Sequence, residues 1–188
     1  MSRGLGDVYK RQLVDIINKA GFPDGAINLL SGDPAKVSEQ LISSDIVKKV
    51  SITGSTRVGK IVLKQAAEKV QRVTMELSGH APFIVYEDAN IEKAVDTAMA
   101  AKYRNNGQVC ISPSRFFIHE KVKSKFQDLF VKKTLKLKMG DAFSNPDLGP
   151  ITTEKRLNDV EKLSDLTVKE GAELLCGGKR ASNFNKGY

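Results

Sequence analysis

The stretch IVKKVSITGSTRVGKIVLKQAAEKVQRVTMEL, residues 46–77, sets the pattern from which the rest of the chain is read. Residues 46–53 read as a strand that lands on Gly54-Ser55-Thr56. A helix follows over 58–70, with Val58, Ile61, Val62, Gln65 and Ala66 on one side. Residues 73–77 then read as a second strand. Strands alternating with helices make α/β units, and such units build a largely parallel sheet.

The same alternation extends in both directions. Toward the N-terminus, residues 13–20 read as a helix that stops at Gly21-Phe22-Pro23, and residues 26–30 as a short apolar strand. Asp33 and Pro34 then open a helix to about Ser43, as N-cap and first helical position. Toward the C-terminus, residues 83–86 and 115–119 read as strands. A helix over 91–103 carries an apolar stripe of Ile91, Ala94, Val95, Ala98 and Met99. Helices are expected over 121–137 and 152–171, and a last strand over 173–176. Residues 1–12 (MSRGLGDVYKRQ) show no periodicity and are set aside as a non-native-looking leader.

Composition narrows the function classes. The chain has 188 residues, 40% of them hydrophobic and 28% charged, which is ordinary globular usage for one domain or pieces of two. Its longest apolar runs fall far short of the roughly 20 residues a membrane-spanning helix needs, and no signal-peptide core precedes them. Two cysteines, Cys110 and Cys176, exclude a disulfide framework and a four-cysteine zinc site, and fit a reducing compartment such as the cytoplasm. Two histidines without companions make no metal site.

The net charge is +8, and seven lysines fall between Lys121 and Lys138. Val122, Phe126, Leu129, Phe130 and Leu135 interleave with them at helical spacing. The lysines therefore read as the wet face of an amphipathic helix, and no nucleic-acid partner is expected.

Three segments could carry chemistry. The first is the junction Ser51-Ile52-Thr53-Gly54-Ser55-Thr56-Arg57-Val58-Gly59-Lys60. A glycine turn into a helix N-terminus offers free backbone N–H groups and the positive end of the helix dipole to a phosphate. Gly54, Gly59 and Lys60 match most of a P-loop, a nucleotide-phosphate module. That motif needs Ser or Thr next for magnesium, and this chain has Ile61. A plain turn with a capping serine is the bland alternative. The second segment holds Glu76, at the end of an apolar strand where desolvation would bring a carboxylate into general-base range; an exposed strand-end glutamate is the alternative, and taken alone the residues favour it. The third holds Cys110, after a glycine turn at the end of a helix, where backbone amides can stabilise a thiolate or an oxyanion. A buried, inert cysteine is the alternative there.

Taken in order, TGSTRVG (53–59), MELSGHAP (75–82) and NNGQVC (105–110) resemble the NAD(P)-dependent aldehyde dehydrogenase superfamily. Gly140-Asp141, Leu148-Gly149-Pro150-Ile151 and Cys176-Gly177-Gly178-Lys179 are similar to further pieces of the same family. His80-Ala81-Pro82-Phe83-Ile84-Val85, with Lys102-Tyr103-Arg104-Asn105, resembles its succinate-semialdehyde dehydrogenase-like members.

The resemblance implies a three-layer, parallel-sheet α/β fold, present here incompletely. Residues 13–79 would be the end of a Rossmann-like NAD(P)-binding domain, and residues 80–188 the first part of a catalytic domain. Cys110 would be the nucleophile, forming a thiohemiacetal and then a thioester with a small-molecule aldehyde. Glu76 would activate the deacylating water. Gly54, Ser55 and Gly59 would form the cofactor turn, with Leu77 and Ser78 beside the nicotinamide of NAD or NADP. Ser78 departs from the family, which usually has glycine there, and His80 stands where many members carry Lys or Asn. The resemblance also implies an internal fragment, inactive alone, of a parent that forms a homo-oligomer, a dimer or tetramer.

Overall fold

In the computed structural model, which describes residues 6–184 and 187–188, strands β1 (Lys49–Gly54) and β2 (Arg72–Leu77) pair in parallel. Ile52 lies opposite Met75, and Gly54 opposite Leu77. The pleat turns Val50, Ile52, Val73 and Met75 toward the helices and leaves Lys49, Ser51, Arg72, Thr74 and Glu76 exposed. Two helices cover the apolar face, α2 (Pro34–Ser43) and α3 (Thr56–Ala67), after an N-terminal helix α1 (Gly6–Lys19). Ile42, Val62 and Ala66 form the buried centre. As expected, Asp33 caps α2, its carboxylate accepting from the Lys36 N–H at 3.0 Å, with Pro34 next. The Gln71 side-chain amide donates to the carbonyls of Ile42 (3.0 Å) and Val47 (2.7 Å), satisfying backbone left over where α2 gives way to β1.

These elements form one of two compact units, which divide between Ser78 and Gly79. In the second unit β3 (Pro82–Val85) pairs in parallel with β4 (Arg115–Ile118), Val85 opposite Ile118. Helices α4 (Ile91–Tyr103) and α5 (Glu120–Thr134) pack on the face bearing Phe83, Val85, Phe116 and Ile118. Val95 and Ala98 are fully buried there beside Phe126. Ring centroids 5.4 Å apart (Phe83–Phe116) and 5.8 Å apart (Phe126–Phe130) continue the core into an aromatic cluster. The opposite face of this sheet exposes Ile84 and Phe117, which are cross-strand partners. A final helix, α6 (Glu154–Lys169), buries none of its residues.

The lysines of α5 lie on its wet face, and Lys121, Lys125 and Lys133 pair with Glu87, Glu92 and Asp96. Each pair joins α5 to α4 or to the turn before it. Such exposed pairs are worth little singly, yet they answer much of the charge that the sequence crowds onto one helix.

Three expectations are corrected. The helix placed at 13–20 starts at Gly6, so residues 6–12 of the stretch set aside as a leader are helical; residues 1–5 lie outside the described residues. Residues 26–30 form no strand: they turn at Gly25 (φ 79°), where the Asn28 amide donates to the Gly25 carbonyl at 2.8 Å. Residues 173–176 form none either. An apolar run needs a ladder partner to become a strand, and neither has one among the described residues. The expected parallel α/β pairing is present in incomplete form: among the described residues it makes two two-stranded sheets, one in each unit, each with a helix layer on one face. Among the described residues no helix is long and apolar enough to cross a membrane.

Candidate active site

In the first unit the candidate residues converge at the C-terminal ends of the parallel strands, where open α/β sheets place their ligands. β1 ends at Gly54, and Ser55 becomes the N-cap of α3, its hydroxyl accepting from the Val58 N–H at 3.3 Å. The capping serine and the helix N-terminus beside a strand end therefore coexist. Gly54 is in ordinary extended backbone, not a turn of positive φ. A methyl group built on it would meet nothing closer than Ile52, at 4.0 Å, so the approach to the N-terminus of α3 is open.

Gly59 does different work. A methyl group built there would stand 2.8 Å from Cδ2 of Leu77, so this glycine lets the first turn of α3 close onto the end of β2. Gly54, Gly59 and Leu77 are thus brought together through strand register and packing. Glu76 alternates to the exposed face of β2, opposite Thr53, the exposed strand-end position that its residues alone favoured. Ser78 closes this unit, and Cys110 belongs to the second, so the candidates are divided between the two.

Cys110 is exposed and stands just beyond the C-terminus of α4, in a turn built from left-handed residues. Asn105 (φ 50°), Asn106 (φ 58°) and Gly107 (φ 73°) follow one another. Asparagine tolerates this region better than most residues. Glycine is required at 107, where an added methyl would lie 3.1 Å from the Lys102 carbonyl.

The turn is held from outside. The Asn106 side chain accepts from the Gly149 N–H and donates to the Pro150 carbonyl, each at 3.0 Å. Oε1 of Gln108 accepts from both the N–H (2.9 Å) and the hydroxyl (2.6 Å) of Thr152. Downstream of the thiol, the buried Ser112 hydroxyl donates to the Lys102 carbonyl at 3.2 Å, and Lys102 Nζ donates to the Pro113 carbonyl at 3.0 Å. Burial holds the Lys102 ammonium below the ordinary lysine range. Gly79 approaches the same turn, since a methyl built on it would lie 3.8 Å from the Cys110 carbonyl oxygen.

The sequence singles out the turn through its cysteine and glycine, but not the partners of Asn106 and Gln108. Residues 148–151 carry only a family likeness there; their bonds to the turn become visible in three dimensions. The two histidines have other partners. His80 Nδ1 hydrogen-bonds Ser114 Oγ at 2.9 Å, and His119 caps α5. Among the described residues no three His, Cys, Asp or Glu side chains group as metal ligands.

Two parallel α/β units, one with a capped helix N-terminus at a strand end and the other with an exposed cysteine on a left-handed turn, define the class as α/β. Comparison fixes the family within that class. The sequence profile of the aldehyde dehydrogenase family matches residues 7–188, and the chain belongs to that family. It is 40% identical over 178 residues to succinate-semialdehyde dehydrogenase [NADP(+)] 2 of Schizosaccharomyces pombe, covering 94% of this chain and 36% of that protein. It is 37% identical to the Escherichia coli succinate-semialdehyde dehydrogenase GabD over 92% of this chain and 36% of the relative. Among solved structures, succinate-semialdehyde dehydrogenase from Burkholderia pseudomallei superposes with a TM-score of 0.87 at 41% identity, covering 90% of this chain and 36% of that one. Betaine aldehyde dehydrogenase from Staphylococcus aureus, solved with NAD+, superposes with a TM-score of 0.86 at 34% identity, covering 92% of this chain and 34% of the other. The chain thus spans little more than a third of the length of these relatives.

Proposed function

We propose that this chain carries the thiol and part of the dinucleotide cradle of an NAD(P)-dependent aldehyde dehydrogenase acting on succinate semialdehyde or a similar carboxylated aldehyde. The observation that carries the reading is the exposed Cys110 at the end of a left-handed turn fastened by Asn106 and Gln108. Likeness to succinate-semialdehyde dehydrogenases supports the substrate class.

The chemistry starts from the Cys110 thiolate. Its Sγ adds to the aldehyde carbon, giving a thiohemiacetal whose oxygen bears the charge that nearby N–H donors stabilise. The dinucleotide, when bound, supplies the acceptor for the hydride lost in the oxidation. The acyl group is then held on Sγ as a thioester. Glu76 takes a proton from the water that attacks this thioester, which frees the carboxylic acid and regenerates the thiolate. Gly54 gives the cofactor's phosphates open access to the N-terminus of α3, and Ser55 adds a hydroxyl there. Gly59 and Leu77 set the packing beneath that cradle, and Leu77 with Ser78 would hold the nicotinamide when the dinucleotide is bound.

Thiohemiacetal formation needs no cofactor, so it can be tested on the chain itself. Iodoacetamide alkylation of Cys110 and Cys176 is followed separately by peptide mass spectrometry, with and without succinate semialdehyde. With aldehyde at about ten times its dissociation constant, Cys110 should be alkylated about tenfold more slowly, as mass action requires. Cys176 should be unaffected, and succinate should protect neither. Cys110→Ser should remove the protectable site. Equal behaviour of the two cysteines toward the aldehyde would overturn the assignment.

A further inference from the structure

We infer that Asn106 and Gln108 are positioning residues that fix the Cys110 thiol through the backbone of Gly149, Pro150 and Thr152, so that a segment some forty residues further along the chain sets where the thiol stands. The inference rests on the reading of Cys110 as a nucleophile and extends it to residues that touch no substrate.

Three observations carry it. First, the turn is conformationally expensive. Two consecutive non-glycine residues at positive φ, then a glycine, persist only where their surroundings determine them. Second, those surroundings are specific. Asn106 uses both halves of its amide, as acceptor for one backbone N–H and donor to the next carbonyl, a two-point match to residues 149–150. Gln108 uses one oxygen to collect two donors from a single residue, Thr152. Third, the far segment has its own anchors. Gly140 N–H donates to the Leu148 carbonyl at 3.0 Å, and Thr153, next to Thr152, caps α6 by accepting from the Arg156 N–H at 3.2 Å. The turn is therefore braced against a strand-like neck on one side and a helix N-terminus on the other. Gln108 lies only two residues from the thiol, and a shift of about 1 Å at a reacting atom can cost 10²-fold.

The test uses the full chain and the aldehyde-protection assay. Asn106→Gly removes both amide contacts while relieving, not adding, left-handed strain. Thr152→Val removes the hydroxyl bond to Gln108 at a distance from the thiol, and Thr152→Ser retains it. Far-UV circular dichroism and the Cys176 alkylation rate report whether each variant folds as the parent does. Asn106→Gly and Thr152→Val should each weaken protection of Cys110 by succinate semialdehyde about tenfold or more, and Thr152→Ser should restore the parental value. Parental protection that persists unchanged in both would overturn the positioning role alone, leaving Cys110 as the nucleophile. An unprotected Cys110 in the parent chain would overturn the nucleophile and the positioning role together. Loss of protection in Thr152→Ser equal to that in Thr152→Val would also overturn the positioning role.

Discussion

Gly59 shows how one position can hold two opposed preferences. Within a helix, glycine costs up to about 1 kcal/mol relative to alanine. Here the added methyl would stand 2.8 Å from Leu77, and overpacking of that kind costs about 1–3 kcal/mol. Leu77 is a flexible side chain, so the lower end of the range applies, and the two effects come close to cancelling before strain tips the sign. Gly59→Ala should therefore lower stability by about 1 kcal/mol or less in the parent. In a Leu77→Ala background the same change should raise stability by up to about 1 kcal/mol. Urea melts of the four chains in this cycle decide the matter, and the same sign in both backgrounds would mean that Leu77 is not what keeps position 59 small. At this scale the sequence was informative about type and poor about partner. It marked Gly59 by its spacing from Gly54, but the contact that explains it joins α3 to the end of β2.

Among the elements, α4 and α6 make an instructive pair. Both were expected as helices, α4 from its apolar stripe, and α4 runs over the expected residues, from the Asn90 cap to Tyr103. Its stripe is buried because the sheet face of Phe83, Val85 and Phe116 lies beneath it. α6 forms as well, yet Leu163 and Leu166 stand exposed. Periodicity reports that one face is apolar, not what covers it. Val95→Ala, at a fully buried position of α4, should cost about 2–3 kcal/mol through lost contacts and a cavity. Leu163→Ala on α6 should change stability by no more than about 0.5 kcal/mol. Thermal or urea unfolding measures both, and a comparable cost at the two positions would show that α6 has a partner in solution. The strands wrongly expected at 26–30 and 173–176 belong to the same lesson. Composition licensed them, and the absence of a ladder partner among the described residues removed them.

For the whole molecule, the residues conveyed the α/β order and the family likeness implied a boundary after residue 79, but which side chains form the separate centres on either side was not legible. Ile42, Val62 and Ala66 form one core, and Val85, Ile91, Val95, Ala98 and Phe126 the other, with no residue in common. Val62→Ala and Val95→Ala should accordingly combine additively, within about 0.5 kcal/mol, in equilibrium unfolding of the double variant. A coupling well above that would mean that the cores act as one cooperative body. A last consequence comes from the neck between α5 and α6. Met139 bridges to Leu148, the Lys138 N–H reaches the Asp147 carboxylate at 2.8 Å, and Asp147 N–H returns to the Lys138 carbonyl at 2.9 Å. Residues 141 to 146 hang outside this closure, with Phe143 wholly in solvent. Length is therefore cheap there and costly at 149–152: this lobe is where insertions, deletions or an epitope tag can accumulate without their strain passing the neck, while the next few residues tolerate almost no change in count.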